Sequence, residues 1–257
     1  MSRPAHLLAS LRQSLERSEP NLACVPLGHA GADEVLRGLR REALHEVYAA
    51  EAGDSAAASG FAAGLAHRLC AGRSLLWIRQ EFSALEHGEI NGSGVLELGI
   101  DPSKLILLRV DHAKDALKAA GDALSCTGLG AMVIESYGEH KALDLTATRR
   151  LMFATERDGV SAVLLRLGAE ADASAAETRW IVRSAPSPAE DDFGFARFDA
   201  VLARNRHGQT GRWIMEWNGN DGSFHEPAEN PFGVAATPAD GSLAAESWPK
   251  EDWRWAG

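Results

Sequence analysis

A turn at residues 49–56, between a predicted strand and an Ala-rich predicted helix, is the part of the sequence best suited to hold a phosphate. A phosphate-binding loop, G-x-x-x-x-G-K-[ST], cradles phosphates with backbone N–H groups, a lysine and a hydroxyl that holds Mg²⁺. Counted from the strand, Ala49 and Asp54 occupy the two glycine positions and Ser55 occupies the lysine position. Shifting the register by one residue restores Gly53 and Ser55 but puts Asp54 at the lysine position. Both registers lack the cation, and a carboxylate there opposes phosphate binding and transfer.

Two acidic residues could complete such a site from neighbouring strands. Glu81 and Glu135 lie at the carboxyl ends of predicted strands, at the edge of a parallel sheet where ligands bind. They are either relics of a nucleotide site or acidic side chains where the sheet opens to water. Because the lysine is missing, we expect a vestigial nucleotide site without catalytic residues, cofactor or metal. Its members are Gly53, Asp54, Ser55, Glu81 and Glu135.

Strands alternate with helices through the first two thirds of the chain. The predicted strands are residues 43–49, 74–78, 104–110, 130–135 and 160–165, and the helices are 56–69, a stretch around Leu96, 113–125 and 145–157. This alternation predicts an α/β fold with a doubly wound, mostly parallel sheet flanked by helices. Residues 180–183, 197–203 and 213–217 predict antiparallel strands added near the C-terminus. We divide the chain into an amphipathic N-terminal helix (1–20), a core domain (21–224) and a Pro/Trp-containing tail (225–257).

Two of these helices carry further signals. Gly60 and Gly64, four residues apart, predict that the helix at 56–69 lies close against the sheet. Asp144 or Thr146 is expected to cap the helix at 145–157.

Leucines and arginines mark two candidate surfaces for protein partners. Leu7, Leu11 and Leu15 form a stripe at helical spacing, which packs either on its own domain or on another subunit. Arg204 and Arg206 belong to a predicted basic hairpin turn, which is either solvated or faces an acidic partner or a neighbouring subunit.

Tryptophans mark a third candidate surface, in the C-terminal tail. Trp248, Trp253 and Trp255 lie among polar residues and prolines. Such large aromatic side chains are seldom left in water, so the tail either folds back over the domain or anchors a partner.

The charge balance restricts the class of partner. Lys and Arg total 26 against 36 Asp and Glu, a net charge of −10, which disfavours non-specific binding to nucleic acid or to an anionic membrane. Three widely spaced cysteines suggest neither a disulfide framework nor a zinc site. Without an apolar signal segment or a spanning helix, we expect a cytoplasmic protein that reaches DNA only indirectly.

Three strands resemble those of the RecA recombinases. Residues 44–49 resemble the strand that enters the nucleotide loop, 76–81 the next strand and 131–136 the Walker B strand. In this resemblance Glu81 matches the water-activating glutamate, and Glu135 replaces the Walker B aspartate. The two DNA-binding loops of that family correspond to residues 136–143, which are short, and 168–178, which are acidic, so neither suits DNA.

Within that superfamily, four runs are similar to the ImuA family: Leu-His-Glu-Val-Tyr at 44–48, Leu-Gly-Ile-Asp-Pro at 98–102, residues 142–151, and Arg-Asn-Arg at 204–206 followed by Gly-Arg-Trp at 211–213. The resemblance covers about residues 20–220. It implies a RecA-like fold in a damage-inducible bacterial protein of the SOS response. It also implies support of error-prone translesion synthesis by binding ImuB, an inactive Y-family polymerase homologue. RecA, an error-prone C-family polymerase reached through ImuB, and further copies of the chain are the other implied partners.

The leading hypothesis is therefore a catalytically silent RecA-like adaptor. One rival is an ATPase that binds nucleotide through backbone N–H groups and an Arg206 supplied by a neighbour. A second rival is a SulA-like inhibitor of cell division, because that family also resembles RecA without a working phosphate loop.

Overall fold

The computed structural model describes residues 24–187 and 194–227. Eleven strands lie in these ranges: β1 (Cys24–Val25), β2 (Leu39–Arg40), β3 (Leu44–Ala49), β4 (Ser74–Gln80), β5 (Leu105–Val110), β6 (Leu129–Tyr137), β7 (Ser161–Leu167), β8 (Thr178–Ser184), β9 (Ala196–Asn205), β10 (Gly211–Asn218) and β11 (Ser223–His225).

Nine of these strands form one sheet, in the order β11-β10-β9-β8-β3-β7-β6-β4-β5. The six strands from β8 to β5 run parallel, and β9, β10 and β11 extend the sheet antiparallel beyond β8. β1 and β2 pair separately as an antiparallel ladder. The predicted fold class is confirmed: the domain is α/β, with a large mostly parallel sheet and antiparallel strands near the C-terminus, consistent with a RecA-like fold.

Six α-helices connect the strands within the same ranges: α1 (Ala30–Leu36), α2 (Ser55–Cys70), α3 (Glu81–His87), α4 (Gly92–Glu97), α5 (Ala113–Leu124) and α6 (Leu145–Asp158). α1 and α2 pack on one face of the sheet, and α5 and α6 on the other. Every residue of β7 is buried, because helices cover both faces of the sheet at its centre.

Small residues let α2 approach the sheet closely. A Cβ atom added to Gly64 would lie 2.7 Å from the Phe224 ring and 2.9 Å from the Trp217 ring, closer than carbon atoms pack. At Gly60 the added atom would lie 3.5 Å from Phe198, an ordinary contact. The predicted close approach is therefore confirmed at Gly64, whereas Gly60 has room for a methyl group.

Several short elements were not predicted. α1, α3 and β11 are seven, seven and three residues long, and β1 and β2 have two residues each. Such runs are too short to display a hydrophobic period. Asp144, rather than Thr146, caps α6, since its carboxylate accepts a hydrogen bond of 2.8 Å from the Ala147 N–H. The first residues of the expected basic turn, Arg204 and Asn205, are the end of β9.

Two predictions fall outside the described ranges. The N-terminal stripe of Leu7, Leu11 and Leu15 precedes residue 24, and Trp248, Trp253 and Trp255 follow residue 227. The helix at 1–20 and the tail at 225–257 therefore stay predictions, as do the domain boundaries. Among the described residues, no helix has both the length and the hydrophobicity of a transmembrane span.

Candidate functional site

Two backbone N–H groups of the turn after β3 are hydrogen-bonded to carbonyl oxygens of the protein. The Ala50 N–H donates to the Val182 carbonyl at 3.0 Å, and the Asp54 N–H donates to the Glu51 carbonyl at 3.0 Å. The second bond closes a 3₁₀ turn at Ala52–Asp54, from which α2 continues. The N–H groups of Ala50 and Asp54 are therefore not available to an anion, whereas a phosphate-binding loop points such groups at its phosphate.

The polar side chains of this turn are also engaged. The Asp54 carboxylate accepts hydrogen bonds from Ser184, at 3.0 Å from the backbone N–H and 3.2 Å from the hydroxyl. Asp54 therefore ties the turn to the end of β8. The Ser55 hydroxyl donates to the Ala52 carbonyl at 2.9 Å, so the one group placed to hold Mg²⁺ is used to close the turn.

Glu135 lies at the centre of a buried hydrogen-bond network. It is 1% exposed and accepts from the Trp77 indole at 2.7 Å, from Arg79 Nε at 2.9 Å and from the Ser83 hydroxyl. The other nitrogens of Arg79 donate to the carbonyls of Gly88, at 2.6 Å, and of Ser83, at 3.1 Å. The Arg79–Glu135 ion pair therefore has no net charge, and its hydrogen bonds fix the segment after β4 over the sheet.

Glu81 lies in different surroundings. It is the first residue of α3, its side chain is 45% exposed, and its carboxylate is 3.6 Å from Nη1 of Arg109. The same guanidinium donates to Glu89 at 2.6 Å. Glu81 is thus a solvated acid at the helix start, next to a cation already bound by a second carboxylate.

A cavity of about 560 Å³ opens beside the turn, between α2 and the segment that contains α4. Gly53 and Ser55 line one end, and Trp77, Arg79 and Glu135 line it from the sheet. The rest of the lining is mostly small and aliphatic: Ala52, Ala56, Ser59, Gly60, Ala63, His87, Gly88, Glu89, Ile90, Asn91, Gly94, Val95, Leu98, Ile100 and Leu105. Arg79 is the sole Lys or Arg in this lining, and Glu135 neutralises it. The cavity can take an uncharged or apolar group, but it offers no free cation to a triphosphate.

The structure thus separates the five residues of the predicted vestigial site. Gly53, Ser55 and Glu135 line one cavity, whereas Asp54 bonds to β8 and Glu81 is not among the lining residues. No group of three or more His, Cys, Asp or Glu side chains in the described ranges could hold a metal ion.

On the opposite face of the sheet, residues of the 44–48 motif form a second polar cluster. Glu46 is fully buried and bonded to Arg179 Nε at 2.9 Å. The guanidiniums of Arg166 and Arg179 lie 5.8 and 5.5 Å from the centre of the Tyr48 ring. Burial raises the pKa of the Tyr48 hydroxyl. These contacts stack β3, β7 and β8 together, which gives Glu46 and Tyr48 a structural role.

His45, on the other side of the same strand, is a satisfied core residue. Its Nε2 lies 2.8 Å from the Arg40 carbonyl and its Nδ1 lies 2.8 Å from the Thr178 hydroxyl. A carbonyl only accepts, so Nε2 carries the proton and Nδ1 accepts. Burial lowers the pKa of His45 to about 4. The ring is therefore neutral at physiological pH.

The two candidate arginines of the basic hairpin lie against their own domain. Arg204 Nη1 donates to the Ser174 carbonyl at 2.5 Å, and Arg206 Nη1 is 3.1 Å from the Met152 sulfur. Arg204 is partly buried, whereas Arg206 is exposed. Arg204 therefore holds the loop before β8, and Arg206 is the more accessible of the two.

Sequence reasoning did not find the partners of Glu135. Arg79 and Trp77 lie two residues apart in a mostly apolar strand, which places them on one face. An arginine in a buried strand needs a buried acceptor, and that requirement was the available signal. The identity of the acceptor depends on the pairing of β4 with β6, which the sequence does not show.

Comparison with known proteins adds the family. No family model matches the chain. It is 31% identical over 249 residues to Protein ImuA of Caulobacter vibrioides (strain NA1000 / CB15N), covering 90% of this chain and 92% of the relative. The Protein ImuA of C. vibrioides strain ATCC 19089 / CIP 103742 / CB 15 gives the same identity and coverage. The chain therefore belongs to the ImuA family.

Proposed function

We propose that this protein is a non-catalytic, RecA-like adaptor in DNA damage-induced, error-prone translesion synthesis, and that it binds ImuB. Membership of the ImuA family supports the role in damage-induced mutagenesis. In this proposal the protein acts in the cytoplasm and meets DNA only through its partners. RecA and, through ImuB, an error-prone C-family polymerase are further partners under the same proposal.

The observation that carries the non-catalytic part is the state of the former phosphate loop. Asp54 and Ser55 are bonded to neighbouring residues of the turn and of β8, and the Asp54 N–H is bonded to Glu51. The nearby cation, Arg79, is neutralised by Glu135. Phosphoryl transfer depends on cations and N–H dipoles aimed at the phosphate oxygens, so this arrangement favours a structural role for the loop.

A binding assay with purified ImuB from the same genome tests the proposal. The full chain, immobilised for interferometry, should bind ImuB to the same extent with ATP and Mg²⁺ present or absent. A parallel assay with the division tubulin homologue tests the SulA-like alternative. Lack of binding to ImuB, binding that requires ATP, or binding to the division protein would each overturn the proposal.

A further inference from the structure

One face of the antiparallel end of the sheet carries no helix in the described ranges. α5 packs on β4, β5 and β6, and α6 packs on β3 and β7, whereas the opposite face of β8–β10 is covered by α1, α2 and the apolar core. At a strand spacing of about 4.8 Å, β8 to β10 span about 10 Å, which is close to the diameter of a helix. The uncovered strip is therefore wide enough for one helix beside α6.

We call this strip the bare face and define it by Ile181, Arg183, Val201, Arg212 and Ile214. These side chains alternate with the core residues of the same strands, so they point away from α2. Ile181 pairs with Val201 across the strands, and Val201 pairs with Arg212. Ile214 is 44% exposed. The strip thus presents aliphatic side chains that no described helix covers.

The charged residues on and beside the bare face are three arginines and two carboxylates, so one positive charge is in excess. Arg212 binds the Asp199 carboxylate with both ends of its guanidinium, at 2.7 Å from Nε, and Arg197 Nε binds Glu216 at 2.7 Å. Arg183 is exposed and lies opposite Asp199 across β8 and β9, so Arg183 and Arg212 both face the one Asp199 carboxylate. The aliphatic strip is therefore flanked by three arginines and two carboxylates, a net charge of +1.

We propose that the bare face docks an amphipathic helix of a partner protein, with aliphatic residues toward Ile181, Val201 and Ile214 and an acidic residue toward Arg183. The inference rests on the proposed adaptor function and names the surface through which it acts. Burying aliphatic side chains supplies affinity, and the charge sets orientation and partner choice.

Charge and chemistry favour this occupant over two others. The chain's own residues 1–20 contain three arginines against two glutamates, so that segment has the same sign of charge as Arg183. Single-stranded nucleic acid binds on aromatic platforms and basic grooves. The residues that define the bare face include no aromatic side chain, and the carboxylates of Asp199 and Glu216 lie beside them, bound to Arg212 and Arg197.

A designed peptide tests the surface without knowledge of the natural partner. The probe is a helical peptide with leucines at i, i+3, i+4 and i+7 and glutamates on the flanks, titrated into the isotope-labelled full chain and followed by amide NMR shifts. We expect shifts confined to β8–β10 and the adjoining side of α6. Shifts elsewhere or none would overturn the inference, as would an oligo-dT strand that shifts the same amides when the peptide does not.

Matched variants locate the contacts. Ile214→Asp and Arg183→Glu should each weaken peptide binding about tenfold, and a lysine-flanked peptide should regain binding to Arg183→Glu. Ile106→Asp, on β5 at the far edge of the sheet and 51% exposed, is the control and should leave binding unchanged. Equal binding by wild type and by both bare-face variants would refute the proposed contacts.

Purified ImuB separates this inference from the adaptor proposal. If ImuB binds wild type, Ile214→Asp and Arg183→Glu equally, the bare face is not its docking surface, although the adaptor proposal stands. If the acidic peptide binds at β8–β10 and ImuB does not bind the chain, the ImuB proposal fails and the docking surface remains.

Discussion

Removing the Glu135 carboxylate should lower the free energy of unfolding of this domain by a large fraction. Glu135→Ala leaves the buried guanidinium of Arg79 without its counter-ion, and it leaves the Trp77 N–H and the Ser83 hydroxyl without their acceptor. Breaking a buried ion pair on one side costs about 3–5 kcal/mol. Domains of ordinary stability have about 5–15 kcal/mol in total, so the loss is a large fraction.

Urea unfolding followed by circular dichroism measures this loss. With a slope of about 2 kcal/mol per molar urea, the midpoint should fall by about 2 M. Glu81→Ala is the matched control, because that carboxylate is 45% exposed and its ion pair is 3.6 Å long. Exposed pairs contribute about 0–1 kcal/mol, so its midpoint should move by less than about 0.5 M.

A double variant separates the cost of the unpaired charge from the cost of the lost hydrogen bonds. Arg79→Met combined with Glu135→Leu replaces both charges by apolar groups of similar size, which is often nearly neutral for stability. We expect it to recover the part of the loss that comes from the unpaired Arg79 charge, but not the part that comes from the Trp77 N–H and the Ser83 hydroxyl, which still lack an acceptor. A loss below about 1 kcal/mol for Glu135→Ala, or equal losses for Glu81→Ala and Glu135→Ala, would refute the structural role of the network.

Three further predictions test the fold around the site. The pKa of His45 is about 4 in the folded chain and 6.5 in its ordinary state, so the unfolded chain takes up a proton first as the pH falls. The free energy of unfolding should therefore drop by about 3 kcal/mol between pH 6.5 and 4 through this group. Urea titrations of His45→Gln should show a weaker pH dependence than those of the wild type. Gly64→Ala should cost about 1–3 kcal/mol by overpacking against the rings of β10 and β11, whereas Gly53→Ala, with nothing within 4 Å of the added carbon, should melt near the wild-type temperature. Asp144→Ala should lose about 1 kcal/mol of thermal stability with the α6 cap, and Thr146→Ala should be close to neutral.

The order of strands and helices in the central sheet was predictable from the sequence because each element there is long and apolar. The apolar run of β7 and the small residues of α2 are both visible in the sequence. Gly64 was predicted to bring α2 close to the sheet. Which rings it would meet could not be predicted, since Trp217 and Phe224 come from strands more than 150 residues later.

The chemistry of the site was only partly predictable. The loss of the lysine is visible in the sequence, but the bonds of Asp54 to Ser184 and of Glu135 to Arg79 depend on long-range pairing. Local patterns carry no information on such partners. The open strip on β8–β10 was likewise hidden, because it depends on where α6 ends on the sheet.

Calorimetric titration of the full chain with ATP and Mg²⁺ tests the central claim most directly. The engaged groups of the turn and the neutralised Arg79 predict no measurable heat of binding up to millimolar nucleotide and no release of phosphate. Micromolar affinity, or phosphate release that Glu81→Gln abolishes, would contradict a non-catalytic adaptor.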